Sequence, residues 1–367
     1  MTQLTPRAIA WAETMGGHPD AGFVAAHDGP QPGIATGGPV GRQAREEFEV
    51  AQLRSGAALA SGAGERAVPE EPDPLRTCFE RDRDRIVHSS AFRRLAGKTQ
   101  VVVFPADHQR TRLTHALEVA QVATAIARGV GANVSLAEAI ALGHDCGHGP
   151  GGHAAEDAFD VFLPEGYEHG PWGADVVLSG LNLCAQTLDG IRNHSWSRPN
   201  PATIEGEIVS WADRIAYCAH DLEDAVGAGI VSTSDLPTEI WEVIGKSRRE
   251  QLAVFIPAVI DATAATGRVC MDAAAAGALA ALRSFNYERI YTRRESVAQS
   301  TAVIAVLRAL VEFYSGDPQA MPADQLGADS VVSAVRYVAG MTDRYAFEQA
   351  VTLLGWDRER LPKGISG

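Results

Sequence analysis

The chain has 367 residues, 46 acidic against 32 basic side chains and a formal net charge of −14. That length can bury a large core and would allow two or three domains, while the acidic balance argues against a general nucleic-acid-binding surface. Cys78, Cys146, Cys184, Cys218 and Cys270 show no CxxC spacing and no even framework, which points to a reducing compartment rather than a disulfide scaffold. The first residues lack a basic start followed by an apolar core, and no apolar run approaches membrane-spanning length, so a cytoplasmic protein is expected.

Residues 1–70 are rich in Gly, Ala and Pro, and within them only about 45–60 reads as a helix. This extension is assigned no chemistry; a packing arm at a subunit contact and a loosely ordered tail are both open. From RDRDRIVHSSAFRRLAG onward the pattern is mostly helical. Arg81, Arg83, Arg85, Arg93, Arg94, Lys98, Arg110 and Arg112 make a local basic stretch suited to a small polyanion, although Arg81 to Arg85 can simply pair with neighbouring aspartates. The β-branched run QVVVF at 100–104 reads as a short strand or hairpin.

Helices follow at about 112–129, 135–145, 152–162, 173–180, 184–193 and 203–226. In the last, Ile204, Ile208, Trp211, Ile215 and Ala219 form an apolar stripe, and Asp213, Tyr217 and Asp221 recur every four residues along another face. Helical patterning continues to about residue 354, including an alanine-rich run at 273–281. The expectation is an all-α fold with at most a trivial sheet, one domain over 71–357 and a tail at 358–367.

Two imidazoles and two carboxylates, His115, His144, Asp145 and Asp213, come from three stretches and could surround one divalent ion. His144 and Asp145 are adjacent, so on a straight helix they would point about 100° apart. The glycine-rich GHGPGG that follows ends the helix and frees the backbone to turn both inward. Manganese, magnesium, iron, cobalt or nickel all suit such a donor set. His153 and Glu156 form an HxxE pair on one helix face, in which the carboxylate orients the imidazole for proton transfer.

The H, HD and distal D pattern resembles the HD-domain phosphohydrolases. RDRDRIVHSSAFRRLAGKTQV, RTRLTHALEVAQ, HDCGHGPGGHAAE, GLNLCAQTLDGI, ADRIAY with HDLEDA, and GMTDRYA resemble, more specifically, the deoxyguanosine triphosphate triphosphohydrolase family over about residues 72–357. The resemblance implies that His153 and Glu156 take part in catalysis, that Arg112, His148, His169 and Arg283 meet the phosphates, that Gln100 and Asp221 meet the sugar hydroxyl, and that Tyr217 and Tyr291 pack against the deoxyribose. It also implies a homo-oligomer, often a hexamer in the family, with a nucleotide activator or single-stranded DNA as further partners in some members.

The chain departs from the family pattern in three places. Gly149 and Gly151 replace bulkier residues and should make the loop before His153 more mobile; GPWG after His169 puts the helix start there in question; and Arg214, beside Asp213, should point off the ligand face as a tuning or surface residue. The reaction expected is a metal-dependent conversion of a dNTP, dGTP included, to deoxynucleoside and inorganic triphosphate. A nucleoside monophosphatase, a cyclic-nucleotide phosphodiesterase and a non-catalytic dNTP sensor are the alternatives.

Overall fold

A computed structural model describes residues 4–101 and 109–362, and the chain divides into two compact units, Met1–Val40 and Gly41–Gly367. In the first, helix α1 (Pro6–Glu13) starts at Thr5, whose hydroxyl accepts from the Ala8 N–H at 3.2 Å. A small antiparallel hairpin follows, β1 (His18–Asp20) against β2 (Phe23–Ala25), and the positive φ of Ala21 and Gly22 closes its tight turn. Among the described residues this is the one sheet. It lies in the glycine-rich segment, and residues 102–104 of the strand expected at 100–104 fall outside the described residues.

The second unit is helical and begins well before the compositional boundary near residue 70. Helix α2 (Arg42–Gln52) is shorter than the 45–60 expected, and the coil after it is held by α2's own acids. Glu49 accepts the Ala60 N–H and Glu46 the Gly62 N–H, each at 2.8 Å. Arg66 then reaches Asp82 at 2.6 Å in a fully buried ion pair, which ties this coil to helix α3 (Cys78–His88). The short α4 (Ser90–Arg94) leads to a 3₁₀ turn at Leu95–Gly97.

Three helices form the frame of the site. Helix α5 (Arg112–Val130) opens where Thr114 Oγ1 accepts the Thr111 N–H at 3.0 Å and stops at Gly131, which adopts the left-handed conformation that favours glycine. Helix α6 (Val134–Gly143) is capped by the Asn133 side chain and ends immediately before His144. The HxxE pair lies on α7 (His153–Phe159), followed by the single turn α8 (His169–Trp172) and by α9 (Ala185–Asn193). The third frame helix, α10 (Ile204–Gly227), is capped by Thr203 and packs across α5 and α6. The helix expected at 173–180 is instead a π-helical turn, Gly173–Val177, then a 3₁₀ turn. A Cβ on Gly173 would lie 3.1 Å from the Gly147 nitrogen, a tight approach between the two backbones.

The remaining helices are α11 (Thr238–Ile244), α12 (Arg248–Thr266), α13 (Ala273–Asn286), α14 (Arg294–Gly316), α15 (Ser330–Ala339) and α16 (Asp343–Leu354). Apolar burial separates into two clusters. One gathers α3, α5, α6, α10 and α13 around residues such as Ile126, Ile140, Ile215 and Leu282. The other joins α7 to α14, α15 and α16 through Ala155, Phe159, Val303, Leu310, Val335 and Phe347. Each fully buried side chain of this size contributes about 1.5–3 kcal/mol. By length and apolarity alone α14 could also cross a bilayer, unlike anything apparent in the sequence reading, but Val303, Val306, Leu307, Leu310 and Val311 are buried in the second cluster.

Candidate active site

The four expected metal ligands meet. His115 is on α5, one turn after Arg112; His144 is the residue that ends α6; Asp145 follows it; and Asp213 projects from α10. His115 Nε2 lies 3.1 Å and His144 Nε2 3.6 Å from Asp213 Oδ1, while His144 Nε2 is 3.4 Å from Asp145 Oδ1. His144 Nδ1 donates to the Ala141 carbonyl at 2.6 Å, which leaves Nε2 as the nitrogen that faces the other ligands, and that buried nitrogen has no hydrogen-bond partner among the described residues. A backbone carbonyl that fixes the imidazole tautomer is the usual support of a histidine ligand.

The electrostatics ask for a cation at the same point. Burial alone would lower the pKa of His144, but Asp145 and Asp213 outweigh it and raise it to about 9. Burial would raise the two carboxyls, yet Arg112 with His144 holds Asp145, and His115 with His144 holds Asp213, well below the usual range. A buried carboxylate pair thus holds positive charge at His144 Nε2, where a divalent ion would displace the proton. The residues present fit such an ion.

The loop after Asp145 is packed, contrary to the mobility expected of its glycines. Residues 144–152 are all buried. A Cβ on Gly147 would collide with the His169 carbonyl and the Gly173 nitrogen, one on Gly149 with Ala155 and Phe159, and one on Gly151 with Val303. Glycine here permits close approach of neighbouring elements, and the positive φ of Gly151 and Gly152 turns the chain into α7.

That turn delivers His153, whose side chain is 72% exposed, to the pocket wall. Glu156 Oε2 lies 3.0 Å from His153 Nδ1, and Glu156 Oε1 accepts from both the backbone N–H of His169 at 3.0 Å and its Nδ1 at 2.6 Å. The sequence change at GPWG therefore leaves this helix start anchored on Glu156. Burial pushes the Glu156 carboxyl up, but His153 and His169 outweigh it and keep it ionised far below its ordinary range. The His148 ring stacks on His169 at 3.7 Å between centroids, and His148 Nε2 is 3.2 Å from Asp145 Oδ1, which links the acid–base group to the metal ligands.

A cavity of about 440 Å³ opens over both groups, within the range of small-molecule sites. Its wall includes His115, Asp145 and Asp213 from the metal cluster and His148, His153 and His169 from the histidine group. His144 and Glu156 stand behind that wall. Gln100, Arg112, Tyr217, Asp221, Arg283 and Tyr291 also line it, so every expected substrate contact faces one space. Arg112 is bound to Asp145 at 2.7 Å, and Arg283 Nε donates to the Tyr217 hydroxyl at 2.8 Å. Burial raises the Asp221 pKa to about 7; Tyr291 donates to its Oδ2, and its buried Oδ1 has no partner among the described residues.

The sequence pattern did not place Arg214, Trp196 or His194 on this wall. Arg214 lines the pocket instead of turning away, with its guanidinium 3.5 Å above the Trp196 ring. His194 donates Nδ1–H to the Ile191 carbonyl at 2.8 Å and meets His169 Nε2 through its own Nε2 at 3.0 Å. Burial, with His169 and His144 close by, lowers the His194 pKa to about 3. The polar-aromatic run NHSW between two helices was the available signal, but no spacing rule connects it to α8 or α10.

A profile of the HD domain matches residues 112–218, and one of the phosphohydrolase-associated domain matches residues 269–351. The chain is 38% identical over 316 residues to a deoxyguanosinetriphosphate triphosphohydrolase-like protein of Caldanaerobacter subterraneus subsp. tengcongensis, covering 83% of this chain and 93% of that one. It is likewise 38% identical over 325 residues to such a protein of Clostridium perfringens, covering 83% and 94%. To deoxyguanosinetriphosphate triphosphohydrolase-like protein 1 of Deinococcus radiodurans it is 34% identical over 352 residues, covering 80% and 94%.

Proposed function

This chain belongs to the deoxyguanosinetriphosphate triphosphohydrolase-like family of HD-domain phosphohydrolases, and we propose that it converts a dNTP and water to a deoxynucleoside and inorganic triphosphate. The observation that carries this reading is that His115, Asp145 and Asp213 share one pocket wall with His153, which Glu156 orients from behind, and with Arg112, Arg214 and Arg283. Three guanidiniums suit a polyanion far larger in charge than a monophosphate or a cyclic ester.

His115, His144, Asp145 and Asp213 would hold a divalent ion, with manganese or magnesium the first choices and iron, cobalt or nickel also compatible. Such an ion supplies Lewis-acid stabilisation of charge on the α-phosphate and makes a bound water more acidic. The chain's own residues do the rest. The arginines and His148 hold the triphosphate so that water meets the α-phosphorus opposite the 5′ oxygen. His153, with Nδ1 fixed on Glu156, has Nε2 free to deliver a proton to that oxygen as it leaves. The free carboxylate oxygen of Asp221 and the amide of Gln100 offer partners to a sugar hydroxyl, and Tyr217 and Tyr291 offer faces to the sugar.

The test is chromatography of the manganese-loaded protein incubated with each of the four dNTPs. Deoxynucleoside with an equal amount of intact triphosphate supports the reading and gives the base preference, with dGTP expected among the substrates. Stepwise phosphate release would replace it with a phosphatase, and tight dNTP binding without turnover, even with mixed dNTPs as activators, would replace it with a sensor. The resemblance also supports a cytoplasmic homo-oligomer, whose order light-scattering molar mass would read.

A further inference from the structure

The two halves of the site belong to different hydrophobic cores. The metal ligands stand on α5, α6 and α10, which pack in the first cluster, whereas α7, with His153 and Glu156, packs in the second with α14, α15 and α16. Proton delivery therefore depends on how the second cluster sits against the first. A small group of buried polar contacts joins the two.

At the centre of that group is Asp343, the first residue of α16, only 3% exposed. Its Oδ1 accepts the Gly151 N–H at 2.8 Å, two residues before His153. Its Oδ2 accepts the Thr99 N–H at 3.0 Å and the Thr99 hydroxyl. Thr99 precedes the pocket residue Gln100, and its carbonyl would be 3.2 Å from a Cβ on Gly152. Lys98 runs parallel to this link, with its Nζ donating to the His148 carbonyl and, at 3.0 Å, to the Ala339 carbonyl at the end of α15. The N-terminus of α16 adds its own favourable field for a carboxylate.

The geometry points to Asp343 as a positioning residue: by holding Gly151 and Thr99 together it places His153 against the metal ligands, so the C-terminal helices govern turnover without touching the ion. This rests on the phosphohydrolase reading for its effect on rate, but not for its effect on the loop. A carboxylate with three donors has no isosteric substitute, because an amide in its place must point N–H groups at one of them. A displacement of about 1 Å at a catalytic group costs on the order of 10²-fold in rate.

The test compares the full chain with Asp343→Asn, and with Thr99→Val as a milder cut of the same link should the first variant fail to fold. Hydrogen exchange read by mass spectrometry follows residues 147–156 against α5 and α10, and manganese content after gel filtration reads the ligand cluster. Exchange across 147–156 should quicken about tenfold or more while α5 and α10 stay as they were. Manganese should be retained, and kcat on whichever dNTP the parent hydrolyses should fall about 10–100-fold with KM nearly unchanged. Unaltered exchange at 147–156, unaltered kcat, or a kcat lost only in step with manganese would each overturn the positioning role. A parent that hydrolyses no dNTP would sink the functional reading, and the exchange comparison would still decide the structural one.

Discussion

Glu156 holds Nδ1 of His153 at 3.0 Å with one carboxylate oxygen while its other oxygen binds His169, so one half-buried acid orients two imidazoles on the pocket wall. Replacing it by Gln keeps the shape but lets an amide face one of the two rings. For Glu156→Gln, kcat is expected to fall about 10²-fold, the scale of a positioned general acid, with manganese content unchanged. Steady-state kinetics beside metal analysis checks this, and a kcat close to the parent's would remove Glu156 from the mechanism.

Metal removal should be visible without any substrate. Because an ion held by His115, His144, Asp145 and Asp213 would bind the folded chain and not the unfolded one, the protein stripped with a chelator should unfold at lower temperature, and manganese at about 100 times its Kd should restore about 2.7 kcal/mol. His144→Ala should abolish that shift. Scanning calorimetry with and without added manganese reads both, and an identical shift in the variant would place the ion elsewhere.

Gly147→Ala tests the close packing of the loop. The added methyl would meet backbone atoms of His169 and Gly173, which cannot rotate aside as a side chain could. A loss of about 1–3 kcal/mol is expected from urea unfolding, together with reduced turnover, since the same backbone carries His169. Gly277, whose Cβ would meet nothing within 4 Å, is the control position, where alanine should be tolerated.

The buried Lys98 predicts a pH dependence of stability. Burial lowers its pKa from 10.5 to about 7, and Arg94 adds to the shift. Below about pH 7 the amine is protonated in both states and the cost of burying the charge is present in full. Between about pH 7 and 10.5 the unfolded chain binds the extra proton, so stability rises with pH by up to about 1.4 kcal/mol per unit. In Lys98→Met that slope should disappear. Urea midpoints measured across this window for both proteins decide it, and parallel slopes would show that Lys98 stays charged when folded.

Much of the site was legible before folding because its residues are tied by local rules. A four-residue period carries Asp213, Tyr217 and Asp221 to one wall, the glycine-rich break after Asp145 marks where two adjacent ligands can turn inward, although the helix itself already ends at Gly143, and the i, i+3 spacing joins His153 to Glu156. The all-helical class followed equally from periodicity. Local rules also misled: glycines in GHGPGGH read as freedom, whereas here they let backbones touch, and Arg214 read as outward until Trp196 supplied a face for it.

What only the tertiary structure decided are relationships between segments far apart in the chain. Asp343 meets Gly151 across 192 positions, and His194 meets His169 across 25, at the seams between packed elements. Periodicity reports which face of a helix is apolar, but not which other helix will cover it, nor which buried carboxylate will satisfy a distant backbone N–H. The sequence determined the four candidate ligands and the helices that carry them. Packing decided that the candidate ligands rest on one core and the His153–Glu156 pair on another, because side chains meet across a seam only once both cores have closed.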